Sequence, residues 1–255
     1  RMGEAIVAGL VDGALFDPAS LIVADPNEER RNYLSATYAV SCVSEGARIR
    51  HPDTVVLAVK PQQLFEVCED LAVAPTFTPK RVVSIAAGIT TATLRSLFSE
   101  LAIIRVMPNA PLMVGASMSA LCVGEGTPRA EGELIRDMFS LMGDAVLVDE
   151  SLMDAVTAIS GSGPAYFALF TEALAAGAER LGLSPEVALL LATQTLKGTA
   201  RYLELTEAIP AQLRVAVTSP GGTTQAALET FAAQGLTETV GAAVEAAKRR
   251  AEELA

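Results

Sequence analysis

The chain has 255 residues, which is enough for two ordinary domains, and 51% of them are hydrophobic. Only 5% are aromatic, so a large core would consist mainly of aliphatic side chains. The net charge of −11 at pH 7 argues against a nucleic acid or an anionic membrane as a partner, because phosphate binding needs a surplus of Lys and Arg on one face. We therefore predict a soluble, acidic protein of the cytoplasm.

The cysteines and the apolar stretches exclude several other classes of protein. Cys42, Cys68 and Cys122 are far apart and belong to no metal-binding or redox motif, so we expect reduced structural thiols. The most apolar region, residues 155–183, is interrupted by glycines, a proline and two glutamates, and it lacks the roughly 20 uncharged residues of a membrane span. We expect neither a membrane span nor secretion.

The first 150 residues alternate short β-branched runs with amphipathic stretches, which is typical of a βα sheet. We predict strands at residues 20–24, 54–59, 82–86, 102–106, 120–123 and 145–148. From Ser151 onward, long Ala- and Leu-rich helical periods replace this pattern, with breaks at Gly182, at Pro210 and at Gly221-Gly222. The sequence predicts a Rossmann-like dinucleotide-binding domain over residues 1–150 and an all-helical domain over residues 151–255.

The beginning of the chain is typical of a helix that is already under way. In a dinucleotide-binding fold such a helix follows the second glycine of G-x-G-x-x-G, and Gly3 would be the third, where a side chain would block packing of the helix on a strand. We therefore expect Met2 and Gly3 to lie at the cofactor, with the first strand and its two glycines upstream. A simple amphipathic helix is the alternative.

Asp25 follows the apolar run 21–24 and lies 22 positions after Gly3 (25 − 3), close to the roughly 20-residue spacing of an acid that binds the cofactor ribose. An aspartate at the end of a strand could instead cap the next helix. Arg30 and Arg31 could meet the 2′-phosphate of NADPH. The choice between NADH and NADPH therefore stays open.

Lys60 directly follows the predicted strand 54–59 and precedes Pro61. Ligands of parallel sheets lie at the carboxyl ends of the strands, so Lys60 would point into the cofactor crevice. An exposed lysine without a role is the alternative. Segments 84–88 and 105–111 end later strands in the same way, with small residues that would let a flat nicotinamide lie against the backbone.

Two glycine-rich segments, 160–164 and 218–224, precede predicted helices at 165–180 and 225–232. Glycines before a helix leave N–H groups unpaired and aimed at an incoming anion, and here we expect Gly221 and Gly222 to expose such groups. No basic cluster accompanies either segment, so a small carboxylate suits them better than a polyphosphate. Each segment could also be only a helix cap.

The run PAQLRVAVTSPGGTTQAAL at residues 210–228 resembles the signature of the pyrroline-5-carboxylate reductase family. Further motifs match the same family in the same order, namely Met2-Gly3, LAVKP at 57–61, SIAAG at 84–88, MPNAP at 107–111 and SGSGPAY at 160–166. The resemblance covers essentially the whole chain. It implies reduction of the cyclic imine 1-pyrroline-5-carboxylate to L-proline by NADPH or NADH, and at least a homodimer formed through the helical domain.

The resemblance also implies the roles of individual residues. The residues expected to line the cofactor are Val59, Lys60, Ala87 and Asn109, and those expected to hold the substrate are Glu150, Ser219, Gly222, Thr223 and Thr224. Ala216 departs from the family pattern, because relatives often carry a polar residue there near the cofactor.

The chemistry of an imine differs from that of a ketone, because the imine nitrogen can already carry its proton and positioning then supplies most of the catalysis. We expect Thr224 to hydrogen-bond the ring nitrogen, Lys60 to take part in catalysis, and no metal to be needed. The single histidine, His51, is expected to be structural. The alternatives are a related 3-hydroxyacid dehydrogenase, for which Lys197 would be the catalytic lysine, and a dinucleotide-binding regulator without enzymatic activity.

Overall fold

The computed structural model describes residues 2–14 and 16–254. The chain forms two compact units. The first, here called the α/β unit, runs to Ser162 and takes in the chain again from Ala247 onward, and the second, the helical unit, is Gly163–Ala246.

Strands and helices alternate in the α/β unit. Its described strands are β1 (Ile22–Ala24), β2 (Ser41–Val43), β3 (Thr54–Leu57), β4 (Arg81–Ser84), β5 (Ala102–Met107), β6 (Ser117–Val123) and β7 (Gly143–Leu147). Its helices are α1 (Met2–Asp12), α2 (Glu28–Tyr38), α3 (Pro61–Ala72), α4 (Thr91–Leu97), α5 (Arg129–Phe139) and α6 (Met153–Val156). A π-helical turn at Thr157–Gly161 follows α6.

The described strands form two sheets. β1 and β2 pair in parallel, and the other five lie in the order β3-β4-β5-β6-β7. In the larger sheet only β5 and β6 are antiparallel. The connection between these two strands, residues 108–116, holds only a short 3-10 turn, and a parallel crossover needs a dozen or more residues. β6 therefore returns alongside β5 in the opposite direction.

Helices cover both faces of the larger sheet. On one face, side chains of β4, β5 and β6 pack against α1 and α5, and this cluster includes Ile6, Leu10, Val83, Ile104, Leu121, Ile135 and Phe139. On the other face, side chains of β3, β4 and β5 pack against α3 and α4, including Leu57, Leu64, Val82, Leu94 and Ile103. Each fully buried aliphatic side chain contributes roughly 2 kcal/mol to folding. The prediction of a Rossmann-like domain is confirmed.

All six strands predicted from the sequence are present, with ends that shift by no more than three residues. The strand predicted over residues 54–59 ends at Leu57, so Val59 and Lys60 lie in the turn before α3. β2 was not predicted, because three residues that begin with a serine carry little periodicity.

The helical unit contains α7 (Gly163–Arg180), α8 (Pro185–Thr206), α9 (Pro210–Ala216), α10 (Thr223–Ala233) and the greater part of α11 (Leu236–Leu254). The breaks predicted at Gly182, Pro210 and Gly221 are present, and the two glycines have φ angles of 97° and 69°. Gly235, with φ 68°, separates α10 from α11 and was not predicted as a break. The prediction of an all-helical second half is confirmed.

The core of the helical unit is built from small side chains. α7 packs against α8 through Ala175, Ala188 and Ala192, which are the buried apolar residues of this unit. Most of its large apolar side chains are exposed, and those that are 62% to 87% exposed are Phe167, Leu169, Leu181, Leu190, Leu205 and Val215. Within residues 2–14 and 16–254, no helix combines the length and the apolar character that crossing a membrane requires.

Candidate functional site

The carboxyl ends of β3, β4 and β5 meet at one edge of the sheet because these three strands are parallel neighbours. Val59 and Lys60 follow β3, Ala87 follows β4, and Asn109 follows β5. Ala58 and Ala87 are exposed there, so two of the three segments offer a flat backbone surface. In α/β sheets this edge is where ligands bind. The structure thus brings together four of the residues that the sequence predicts to line a cofactor.

Gly3 lies in the first turn of α1, close to the end of β3. A Cβ atom added at Gly3 would lie 3.1 Å from the Cβ of Ala58, which is tighter than ordinary van der Waals contact. A larger side chain would therefore push α1 away from the sheet edge. The same turn contains Met2, which packs against the core below α1. The N-terminal turn of a helix held close to a strand end fits the pyrophosphate of a dinucleotide.

Lys60 is the N-cap residue of α3 and is exposed. Its side chain makes no cap hydrogen bond, and Pro61 occupies the first turn of the helix. Within the described residues the ammonium group has no hydrogen-bond or salt-bridge partner. It is therefore free to pair with a ligand at the sheet edge.

The Asn109 side chain is used for internal hydrogen bonds. Its Nδ2 donates to the carbonyl and to the hydroxyl oxygen of Ser160, at 3.2 and 3.3 Å. Its Oδ1 accepts from the Ser117 hydroxyl at 3.2 Å and from the Met118 N–H at 3.1 Å. The amide joins the end of β5, the start of β6 and the π-helical turn. A contact of Asn109 with a cofactor stays a prediction, and its backbone or its outer face would have to make it.

Asp25 follows β1 and is half-buried. Its Oδ1 accepts from the N–H of Asn27 at 2.8 Å, and Asn27, not Asp25, caps α2 by accepting from the Arg30 N–H at 3.0 Å. The alternative in which Asp25 caps the helix is wrong. The carboxylate shapes the turn before α2, and the ribose-binding role of Asp25 stays a prediction.

Glu150 belongs to a polar cluster that the sequence did not reveal. Its carboxylate accepts from the Thr91 N–H at 2.7 Å and, through a short hydrogen bond, from the Thr91 hydroxyl. The Arg105 Nη1 donates to it at 3.4 Å, and Arg105 Nη2 lies 4.0 Å from the Asp154 carboxylate. The Arg105 side chain is only 5% exposed, so its charge depends on these carboxylates. The partners of Glu150 are 45 and 59 residues away in sequence, and local spacing gives no signal for them.

The turn before α10, residues 219–224, does not expose the N–H groups of Gly221 and Gly222, as the sequence had led us to expect. The Gly221 N–H donates to the Gln225 side chain at 2.7 Å, and the Gly222 N–H donates to the Ser219 carbonyl at 3.0 Å. These two donors are therefore satisfied within the turn and are not free for an anion. In the first turn of α10, the N–H groups of Thr223, Thr224 and Gln225 have no partner among the described residues, and neither has the N–H of Ser219 before it.

Glycine is required twice in this turn. Gly221 has a φ of 69°, which disfavours residues with a side chain, and a Cβ at Gly222 would lie 2.4 Å from the Ser219 hydroxyl oxygen. The two glycines let the chain fold back so closely that the Ser219 hydroxyl lies beside the backbone of Gly222. Thr224 is half-buried in the same turn. Residues 219–224 of the helical unit therefore form a compact group.

Three further residues that the sequence analysis considered take part in none of the contacts described above. His51 is exposed, has a φ of 47°, and its Nδ1 lies 2.9 Å from the Thr78 hydroxyl. Lys197 is exposed within α8, and Ala216 is the last residue of α9. Within residues 2–14 and 16–254, no three His, Cys, Asp or Glu side chains are arranged to hold a metal ion.

The three cysteines are free thiols. Burial raises the pKa of Cys68 to about 11 and that of Cys122 to about 12. Burial also raises the pKa of the half-buried Cys42. All three are therefore protonated at neutral pH, which makes them poor nucleophiles and poor metal ligands.

A mostly parallel sheet covered on both faces, with small residues and a helix N-terminus at the carboxyl edge of its parallel strands, is typical of dinucleotide-binding oxidoreductases, here with a separate helical unit. Two family descriptions match the chain. "Pyrroline-5-carboxylate reductase dimerisation" matches residues 150–254, and "NADP oxidoreductase coenzyme F420-dependent" matches residues 1–88.

Relatives agree over the full length of the chain. A pyrroline-5-carboxylate reductase of Synechocystis is 41% identical over 99% of this chain and 94% of its own. The structure of a pyrroline-5-carboxylate reductase from Coxiella burnetii superimposes with a TM-score of 0.94 at 36% identity, covering 100% of this chain and 95% of the other. The structure of a Plasmodium falciparum pyrroline carboxylate reductase with NADP bound superimposes with a TM-score of 0.84 at 29% identity, covering 99% of this chain and 94% of the other. The chain belongs to the pyrroline-5-carboxylate reductase family.

The Glu150 cluster gives a prediction about stability. Glu150→Ala removes both hydrogen bonds to Thr91 and leaves Arg105 buried with only the more distant Asp154, so it should lower the free energy of unfolding by about 2 to 3 kcal/mol. Asp149→Ala, which removes the same charge from an exposed neighbour, should change it by less than about 0.5 kcal/mol. Urea unfolding of both variants measures the difference. Equal stability of the two variants, with a raised KM for the imine in Glu150→Ala alone, would make Glu150 a substrate ligand instead.

Proposed function

We propose that this chain reduces 1-pyrroline-5-carboxylate to L-proline with NADPH or NADH, in the cytoplasm and without a metal. The observation that carries the proposal is the compact turn at residues 219–224, which lies inside the stretch that resembles the family signature and presents unpaired N–H groups at the start of α10. Family membership over the whole chain supports the same activity.

The turn suits the carboxylate of the substrate. The N–H groups of Thr223 and Thr224 are the donors that we propose to bind it, aided by the positive end of the α10 dipole. Gly221 and Gly222 contribute by shaping the turn, and Ser219 contributes its hydroxyl beside Gly222. Because residues 218–224 include no lysine or arginine, the turn favours a single carboxylate over a polyphosphate.

The chemistry then needs little from the protein besides orientation. The nicotinamide, when bound, supplies the hydride. Thr224 would hydrogen-bond the ring nitrogen of the imine through its hydroxyl, which fixes the ring and keeps the carbon electrophilic while the nitrogen carries its proton. Lys60 would stabilise negative charge at the sheet edge, and Glu150 would hold Thr91 and Arg105 in place.

The residues of the α/β unit that we propose to hold the dinucleotide are Met2, Gly3, Asp25, Val59, Lys60, Ala87 and Asn109. The small residues at positions 3, 58 and 87 fit a ligand that lies against the backbone. The 3-hydroxyacid dehydrogenase alternative is less well supported, since Lys197 is exposed in the middle of α8 and belongs to no glycine-rich segment. A regulator without activity would have no use for the turn at 219–224.

We further propose a homodimer or larger homo-oligomer formed through the helical unit. Its alanine core leaves most of its large apolar side chains exposed, and monomeric proteins rarely expose an apolar surface of this extent. The family description that matches residues 150–254 names dimerisation.

The proposed activity is tested directly. Full-length protein with 1-pyrroline-5-carboxylate should oxidise NADPH or NADH, followed by the loss of absorbance of the reduced cofactor, and proline should form in equal amount. A rate equal to that without enzyme, with both cofactors, would disprove the activity. Thermal stabilisation by a cofactor alone, with none by proline, would favour the regulator.

Thr224→Ala tests the proposed role of the hydroxyl. Loss of one hydrogen bond of about 1.5 kcal/mol from the transition state should lower kcat/KM for the imine roughly tenfold, with the Kd of the cofactor unchanged. Thr230→Ala, whose exposed hydroxyl bonds only within α10, is the matched control and should keep normal kinetics. Weakened cofactor binding, with normal imine kinetics at saturating cofactor, would assign the turn to the dinucleotide.

The assembly is tested by light scattering after size exclusion. The mass in solution should be a multiple of the 26.5 kDa chain. Leu190→Asp introduces a charge where a partner would bury an apolar side chain, and it should lower that mass or increase the share of monomer. Val73→Asp, at an 81% exposed position of the α/β unit, is the control and should leave the mass in solution unchanged. A wild-type mass of one chain would contradict the proposal.

A further inference from the structure

The first turns of α1 and α2 are joined by an ion pair between Glu4 and Arg30. Arg30 Nη2 donates to the Glu4 carboxylate at 2.8 Å, and the two side chains are 39% and 18% exposed. The other Glu4 oxygen lies 3.5 Å from the Tyr38 hydroxyl, which donates to it. The Arg30 guanidinium also lies over the Tyr33 ring, 5.1 Å from its centre. Arg30 is therefore held on the side of α1.

The neighbouring Arg31 is also occupied, but by the backbone. Its Nη1 donates to the carbonyl oxygens of Asp25 and Pro26, both at 2.8 Å. Arg31 thus braces the turn that connects β1 to α2. The Asp25 carboxylate accepts from the Asn27 N–H in the same turn and stays half-buried.

These contacts change the electrostatics at the end of β1. A ribose 2′-phosphate carries close to two negative charges and needs an arginine or lysine that is free to pair with it. Here one arginine is neutralised by Glu4, the other is committed to carbonyl groups, and Asp25 adds a negative charge. The Arg30 hydrogen bond also holds the pKa of Glu4 below its usual value, so the carboxylate stays ionised at neutral pH.

We infer that Glu4 is a specificity-determining residue: by holding Arg30 it withholds the charge that a 2′-phosphate would need, and the chain therefore favours NADH over NADPH. This rests on the proposed function only in that the α/β unit binds a nicotinamide dinucleotide. The ribose of NADH carries a 2′-hydroxyl in place of the 2′-phosphate. That hydroxyl would donate a hydrogen bond to the Asp25 carboxylate, and Glu4 and Arg30 need not contact it.

Nucleotide fragments test the inference without any reaction. Titration calorimetry of the full-length protein measures Kd for 5′-AMP and for 2′,5′-ADP, which differ only in the 2′-phosphate. Wild-type protein should bind 5′-AMP at least as tightly as 2′,5′-ADP. Glu4→Gln keeps the shape of the side chain and removes its charge, and it should tighten binding of 2′,5′-ADP about tenfold while leaving 5′-AMP unchanged. Glu4→Ala, which cannot hydrogen-bond Arg30, should tighten binding of 2′,5′-ADP at least as much.

Two further variants identify the source of the gain. Glu29→Gln removes one exposed charge from the first turn of α2 without touching the ion pair, and it should leave the ratio of the two Kd values as in the wild type. Glu4→Gln combined with Arg30→Ala should lose the gain, because the released arginine is then absent.

The inference is overturned if both Glu4 variants keep the wild-type ratio of the Kd values for 5′-AMP and 2′,5′-ADP. It is also overturned if Glu29→Gln tightens binding of 2′,5′-ADP as much as Glu4→Gln does, or if that tightening persists when Arg30 is replaced. Wild-type protein that prefers 2′,5′-ADP, or that binds neither fragment, would also overturn it. Failure of the proposed activity is a separate outcome: the expected Kd ratios together with no reduction of the imine would remove the substrate assignment and leave the role of Glu4 intact.

Discussion

Parallel pairing of β3, β4 and β5 is the constraint on which the arrangement of the α/β unit depends. Because the three strands run in one direction, the segments containing Lys60, Ala87 and Asn109 end at one edge, although they are far apart in the chain. The approach of Gly3 to Ala58 adds the first turn of α1 to the same edge. A side chain at position 3 would therefore disturb the place where a cofactor is expected, and not only the packing of one helix.

The helical unit follows a different physical rule. Small alanine side chains let α7 and α8 approach each other closely, but they bury little apolar area, so this unit gains little stability from its own core. Most of the apolar area of this unit lies on its surface, where it does not contribute to the stability of a single chain. Association with another copy would bury it, and the stability of the turn at residues 219–224 would then depend on the assembly.

The sequence was a good guide to the fold and a partial guide to the site. β-branched runs and helix breaks predicted six of the seven described strands and the all-helical second half, because these signals are local. The antiparallel direction of β6 follows from the short connection after β5. The partners of Glu150 lie 45 and 59 residues away in the chain, so local signals do not reveal them. The free donors of the 219–224 turn were placed one or two residues too early, because glycine content does not reveal that Gln225 and Ser219 satisfy the Gly221 and Gly222 N–H groups.

The same distinction separates residues that can act on a ligand from residues that position others. Asn109, Arg31 and Glu150 resemble ligand-binding residues in the sequence, yet each side chain is engaged by protein groups, and each joins two or more segments. Lys60 and the first N–H groups of α10 have no partner among the described residues. A polar group that already has a hydrogen-bond partner in the protein contributes little to the free energy of ligand binding, since binding would exchange one hydrogen bond for another. Free donors on a rigid turn bind without that loss, which is why the catalytic proposal rests on Thr224 and its neighbours.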